Sequence, residues 1–215
     1  MLAPSRLIIL VALPMEARAV SSALRKGGVP APPVQTIGLR GTRLPQAELT
    51  DAAIVIVAGM GGALDPRLRV GDLVLDTALE NLPAHLPWHV GPIHTADRAV
   101  TTPADKARLF GETGASAVDM EQAAVRRAVP PGTRVIGLRA ISDPADMALD
   151  PAVLRFLDPW GRFRPAAFTA AVVRRPALLL HLRDLHRNSR RALRNLGLAA
   201  AALVGRLAID ERPRQ

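Results

Sequence analysis

Neither cysteine nor tyrosine occurs in the 215 residues. The first absence excludes a disulfide framework, a thiolate metal site and a cysteine nucleophile, and it accords with a reducing cytoplasm. Rings are scarce, two Trp and four Phe. Only Trp160, Phe163 and Phe168 stand near the basic C-terminal stretch. With so few faces for bases to stack on, an arginine-rich nucleic-acid-binding protein is disfavoured. Long apolar runs are missing too. The uncharged run in the tail, Leu196 to Gly205, is half of the roughly 20 residues that a membrane-spanning helix needs. Lysine is nearly absent, Lys26 and Lys106 standing against 26 arginines, a usage that fits GC-rich coding.

What charge there is lies unevenly. The net charge is +9, and residues 162 to 214 hold twelve arginines against Asp184, Asp210 and Glu211, so the first 161 residues balance. A neutral body over residues 1–160 is therefore followed by an Arg-rich helical tail over 161–215, packed on the body or extending from it and suited to an anionic surface such as a membrane. The length accommodates one full-sized domain that buries about 70 percent of its surface.

Strand and helix patterns interleave through residue 143, the signature of an α/β fold. Arg6, the apolar run LIILVAL and Ala17-Arg18-Ala19 imitate a short signal peptide. The run is brief, however, and Pro14-Met15-Glu16 leads straight into a helix, so Leu7 to Ala12 reads as the first buried strand. A helix follows over Met15 to Lys26, a strand over Val34 to Ile37, and a glycine-interrupted loop over Gly38 to Arg43. Ala52 to Ala58 is apolar throughout, as strands buried on both faces are, and empties into Gly59-Met60-Gly61-Gly62. Further strands are expected over Asp72 to Leu79, Ile93 to Ala96 and Ala115 to Asp119, with no clear period over 83–92 and a short helix over Pro103 to Phe110. A helix with Met120, Ala123, Ala124 and Ala128 on its inner face precedes the strand that begins at Val135. Pro176 divides the helical tail into Ala166 to Arg175 and a longer segment reaching about Leu207.

Two motif readings fail on their own chemistry. Gly59-Met-Gly-Gly invites a dinucleotide site, but Leu64 occupies the third glycine position and Asp65-Pro66 interrupts the helix that should follow. The glycines still imply close approach of a ligand or another strand. His85 and His89 have the spacing of paired helical metal ligands, yet Pro87 lies between them and no third ligand is near, so no metal is expected.

Val135 to Asp146, VIGLRAISDPAD, reads as a buried strand that delivers Ser142 and Asp143 at its carboxyl end, where ligands of α/β sheets collect. Glu16 follows the first strand, Gly61 and Gly62 a central one, and Met120 and Glu121 another. Each acid alone reads as a cap. Together, four strand-to-helix crossings supply small or acidic residues to one rim.

LPMEARAV (13–20), GMGGALDPRLRVGD (59–72), VDMEQAA (118–124) and RAISDPAD (139–146) resemble the successive motifs of the purine nucleoside phosphorylase and nucleosidase superfamily. The resemblance is to the methylthioadenosine/adenosylhomocysteine nucleosidase branch and, closer still, to the hopanoid-associated phosphorylase, or adenosylhopane nucleosidase. It implies a three-layer α/β/α sandwich with a mixed, twisted central sheet plus the C-terminal helical tail. It implies, further, an enzyme that releases adenine from a 5′-substituted adenosine, adenosylhopane being the suspected substrate. Asp143 would protonate N7 of the departing purine, for which burial must hold it protonated near neutrality. Ser142 would orient the base, Glu121 would bind the ribose hydroxyls, Met120 would pack on the sugar, and Gly61, Gly62 and Val118 would line the pocket. Glu16 corresponds to the acid that activates water. Gly38, Arg40 and Arg43 would bind phosphate, toward which the family naming leans.

Two departures stand out. Ala99 falls where the nucleosidases carry a purine-stacking aromatic, although Asp97 survives for a hydrogen bond near the base. The segment between the second and third strands is also shorter than usual. The resemblance requires no cofactor, inorganic phosphate being at most a co-substrate. The expected partner is a small-molecule or lipid-linked nucleoside, with a homo-oligomer left open. The expected location is the cytoplasm, with the tail on the inner face of the membrane.

Overall fold

The computed structural model describes residues 6–28, 31–150, 153, 155, 156, 158, 164–175 and 178–210. Trp160, Phe163, Pro176 and Glu211, named above, lie outside them, as does the boundary drawn at 160/161. In chain order the elements are β1 (Leu7–Val11), α1 (Pro14–Lys26), β2 (Val34–Thr36), a 3₁₀ turn (Leu39–Gly41), α2 (Gln46–Asp51), β3 (Ile54–Ala63), β4 (Leu73–Leu75), β5 (Trp88–Val90), β6 (Ile93–Thr95), α3 (Pro103–Thr113), β7 (Ala117–Asp119), α4 (Gln122–Ala128), β8 (Arg134–Asp143), α5 (Pro165–Arg174) and α6 (Leu178–Asp210).

One mixed sheet runs β2-β1-β3-β8-β4-β5, with β7 pairing β3 and β6 beside that path. β1, β2, β3 and β8 are parallel, β4 is antiparallel to β8, and β7 is antiparallel to the end of β3. Alternation along the strands divides the core into two layers. Ile9, Val11, Ile56, Ile136 and Leu138 face α1 and α6, whose Val20, Leu24, Leu196, Leu203 and Leu207 close that layer. Ile8, Leu10, Val55 and Val57 face the opposite way and pack with Leu49 of α2 and Val125 of α4. The α/β/α sandwich implied by the motifs is the fold observed.

Several boundaries differ from expectation. The glycines of 59–62 form no loop but continue β3, because β8 pairs with it through Gly59, Met60, Gly61 and Gly62. Consequently Gly61 and Gly62 do not sit at a crossing into a helix, whereas Glu16, Met120 and Glu121 do stand at such junctions. The inner face of α4 is Gln122 and Val125 with Ala128 packed beside them against the core, while Met120 precedes the helix and Ala123 and Ala124 are half-buried. β5, the 3₁₀ turn and α2 were not anticipated. Each is short, and a three-residue strand gives no period to read.

The tail is two helices. In α6 the buried Ala192, Leu196, Ala199, Ala200, Leu203, Val204 and Leu207 recur at helical spacing and join the core of the sheet. The arginines Arg183, Arg187, Arg190, Arg191 and Arg194 are exposed. No described helix is long and apolar enough to cross a membrane.

Candidate active site

The pairing of β3 with β8 is regular from Ile54 opposite Arg134 to Gly61 opposite Ile141, and then Gly62 stands opposite Asp143. Ser142 is the extra residue of a bulge, a device that re-aims side chains at a strand end. Asp143 is buried there. Its Oδ1 accepts the Ser142 hydroxyl at 2.7 Å, and its Oδ2 accepts Lys106 Nζ at 2.7 Å. Room for the carboxyl comes from Gly62, where a β-carbon would lie 2.9 Å from Oδ2. Burial raises the Asp143 pKa above the ordinary carboxylate value, while Lys106 and the Ser142 hydroxyl oppose that rise.

Lys106, on α3, has no solvent exposure and also donates to the carbonyls of Pro144 at 2.7 Å and Met147 at 3.0 Å. Sequence reasoning assigned it nothing. The available signal was its rarity, one of two lysines in an arginine-rich chain.

A second acid cluster is formed by Glu16 and Glu121. Glu16, in the first turn of α1, accepts the backbone N–H of Leu13 on Oε2 and of Met60 on Oε1, both at 2.8 Å. Its pKa is pushed up to about 7 by burial, with the two amides and Arg139 pulling down and the neighbouring Glu121 adding to the rise. Glu121 is buried at the start of α4. Its Oε1 accepts the backbone N–H of Arg40 at 3.0 Å, and its Oε2 accepts that of Met120 at 3.3 Å. Burial raises its pKa as well, against the pull of Arg139.

Arg139 underlies both acids. Its guanidinium, 1 % exposed, donates to Asp119 Oδ2 and to the carbonyls of Val57 and Leu138, and a β-carbon on Gly61 would press on its side chain at 3.3 Å and on the Val118 carbonyl at 2.9 Å. The close approach expected at these glycines is thus made by β7 and by two side chains of β8.

The expected residues are not all gathered. Gly61, Gly62, Val118, Ser142 and Asp143 adjoin one another, while Met60 is bonded to Glu16 and Met120 to Glu121, the two acids repelling each other electrostatically. Gly38 and Arg40 take positive φ, 71° and 58°, which for Arg40 is an uncommon backbone state. That state turns its N–H onto Glu121, while the side chains of Arg40 and Arg43 are exposed. Asp97 is exposed and lines a separate cavity of about 380 Å³ with His94, Arg98, Ala99 and Asp105.

The family model described as the phosphorylase superfamily matches residues 75–174. Among solved structures, the futalosine hydrolase of Helicobacter pylori strain 26695 aligns at a TM-score of 0.58 and 18% identity, covering 95% of this chain and 97% of its own. The methylthioadenosine/S-adenosylhomocysteine nucleosidase of the same organism aligns at 0.57 and 19%, covering 95% and 97%. The Campylobacter jejuni nucleosidase of that description aligns at 0.58 and 17%, covering 94% and 98%. No curated protein matches the chain. The resemblance read from the motifs is borne out in sequence over residues 75–174 and in fold over nearly the whole chain.

Proposed function

With the phosphorylase superfamily match over residues 75–174 as premise, we propose that the chain is an enzyme that cleaves the N-glycosidic bond of a nucleoside, its substrate a 5′-substituted adenosine and its product adenine. The observation that carries this is Asp143, a buried acid whose pKa burial raises, at the bulged end of β8. Bond cleavage leaves an oxocarbenium-like sugar and a purine anion, a poor leaving group until its N7 is protonated. Asp143 supplies that proton, Ser142 orients the base, and Gly61, Gly62 and Val118 line the pocket. Glu121 holds the ribose hydroxyls, with Met120 against the sugar.

The nucleophile we propose is water. Glu16, with its pKa near 7, is matched to taking a proton from water at neutral pH, whereas a phosphate dianion brought beside Glu16 and Glu121 would be repelled. The side chains of Arg40 and Arg43 are exposed on the 3₁₀ turn, and phosphorolysis through Gly38, Arg40 and Arg43 is the competing reading. No cofactor takes part in either.

We further propose adenosylhopane as the substrate, reached from the anionic inner face of a membrane. Support comes from α5, an apolar helix with no buried residue whose Val173 is 74 % exposed, followed by the exposed arginines of α6. Several arginines at an anionic surface contribute about 1 kcal/mol each. The burial of Leu196, Leu203 and Leu207 limits such contact to α5 and the first half of α6.

Incubation of the purified protein with adenosine, methylthioadenosine or adenosylhopane, with and without phosphate, tests the reading through free adenine and the sugar product. Equal rates with a free ribosyl product are expected. No adenine from any of the three would overturn the assignment, and preference for methylthioadenosine would point to the general nucleosidase instead. Salt-sensitive sedimentation with anionic vesicles, absent with neutral ones, is the outcome that the membrane reading requires.

A further inference from the structure

Lys106 is buried on α3 with all three of its N–H groups committed, to Asp143 Oδ2 and to the carbonyls of Pro144 and Met147. A chain with 26 arginines keeps one of its two lysines here. The reason is geometric, since three acceptors converge on one point, which suits a compact ammonium and not a planar fork. We propose that Lys106 is the positioning residue of the glycosidic cleavage: it fixes Oδ2 of Asp143 and supplies the charge against which that acid gives up its proton. The inference rests on Asp143 being the proton donor.

Burial alone makes a weak acid. A carboxyl group kept protonated by desolvation must become a buried anion when it donates, and that anion is costly unless a cation stands beside it. Lys106 stands 2.7 Å away. Among the described residues, the other elements against the carboxyl bring no charge: Gly62 on β3 and, next to it, Val118 on β7 are apolar, and Ser142 on β8 is a neutral hydroxyl.

The step balances as follows. The bond from the ribosyl carbon to the purine nitrogen breaks with its electron pair going to the base, and N7 takes the proton from Asp143. With Oδ2 held by the ammonium, the proton leaves from Oδ1, which is shared only with the rotatable Ser142 hydroxyl. Asp143 ends as a carboxylate paired with Lys106, the base leaves neutral, and water bonds through its oxygen to the ribosyl carbon while its proton passes to Glu16.

Lys106→Gln keeps amide donors for the carbonyls and removes the charge, and Lys106→Met, which refills the stem without any donor, is the second variant should the first not fold. The carboxyl carbon of Asp143, followed by NMR against pH, is expected to titrate at least one pH unit higher in the variant than in the wild type. With methylthioadenosine, kcat is expected to fall about 10- to 100-fold with little change in KM, and the pH profile to move in the same direction as the carbon titration. Added to Asp143→Asn, the substitution should cost nothing further. A titration that stays or falls, or a rate loss that adds in full to that of Asp143→Asn, would overturn the proposal. The titration needs no substrate. Turnover with an unmoved midpoint would therefore refute the role of Lys106, whereas a raised midpoint with no nucleoside cleaved would support the coupling and overturn the reaction.

Discussion

Oδ2 of Asp143 lies 2.9 Å from the point that a β-carbon on Gly62 would occupy, and Lys106 Nζ holds the same oxygen at 2.7 Å. A β-carbon at position 62 would therefore press on an oxygen that is already tethered. Gly62→Ala should force the carboxyl group to rotate away from Lys106 or push β3 off β8. Overpacking of this kind costs about 1–3 kcal/mol of stability, and a displaced proton donor should lower kcat at least tenfold. Kinetics and urea unfolding on the same preparation check both. An alanine variant with wild-type turnover would show that the carboxyl can move without harm.

Asp143→Asn separates chemistry from the stability of the buried pair. Loss of a general acid costs about 10²–10⁴ in rate, and adenine release is expected to fall by that much. The fold should suffer little. A protonated Asp143 offers no ion pair to break, the amide oxygen of the variant can still accept from Nζ, and Lys106 keeps the two carbonyls, so stability in urea at pH 7 is expected to fall by about 1 kcal/mol or less. A loss of about 3–5 kcal/mol, as for a broken buried ion pair, would mean that Asp143 is charged in the resting enzyme.

Glu16 sets the sign of a pH effect. Its pKa rises from 4.5 in the unfolded chain to about 7 in the folded one, so between those values the native state binds more protons than the unfolded state. The contribution is fully present below about pH 4.5 and is lost as pH rises through 7. The span corresponds to about 3 kcal/mol. Glu16→Gln should flatten this slope in stability measured from pH 4.5 to 8. The same variant tests the water reading, because a base with a pKa near 7 gives a rate that climbs through that pH, and the climb should vanish. A slope that persists in the variant would assign it to another group, Glu121 being raised in the same direction.

Much of this was legible in the residues, and the reasons differ by position. Asp143 could be read because an apolar run ending in Ser-Asp-Pro puts an acid at the carboxyl end of a buried strand, where it reads as a turn cap by itself and as a site residue in the company of the other acids. Glu16 and Glu121 stood at strand-to-helix junctions, and in the structure both are buried within the field of Arg139. The glycines at 59–62 misled because glycine in a strand and glycine in a loop look alike when the reason for it lies elsewhere in the chain, here in Arg139, Asp143 and Val118. Lys106 was invisible for a related reason. It lies 37 residues from its partner, within a helix whose other charges face solvent, and no local period marks a cation that points inward. Asp97, credited through a motif, is exposed and lines a cavity with His94, Arg98, Ala99 and Asp105.

Gly197 shows how the tail is tied to the body. A β-carbon there would lie 2.8 Å from the carbonyl oxygen of Ala19 and 3.2 Å from Ala23 Cβ, both on α1. The obstacle is mostly backbone and cannot swing aside, so Gly197→Ala should lever α1 and α6 apart, at a cost of about 1–3 kcal/mol. For a chain of this size each kcal/mol moves Tm by about 2–4 °C. Gly205, on the same helix, meets nothing within 4 Å, and Gly205→Ala should instead gain about 0.5–1 kcal/mol from helix propensity. Thermal melts of the two variants therefore shift in opposite directions if the helices are in contact at Gly197. A neutral or stabilising Gly197→Ala would mean that α6 does not lie this close to α1 in solution, which would free the Arg-rich tail to act apart from the body.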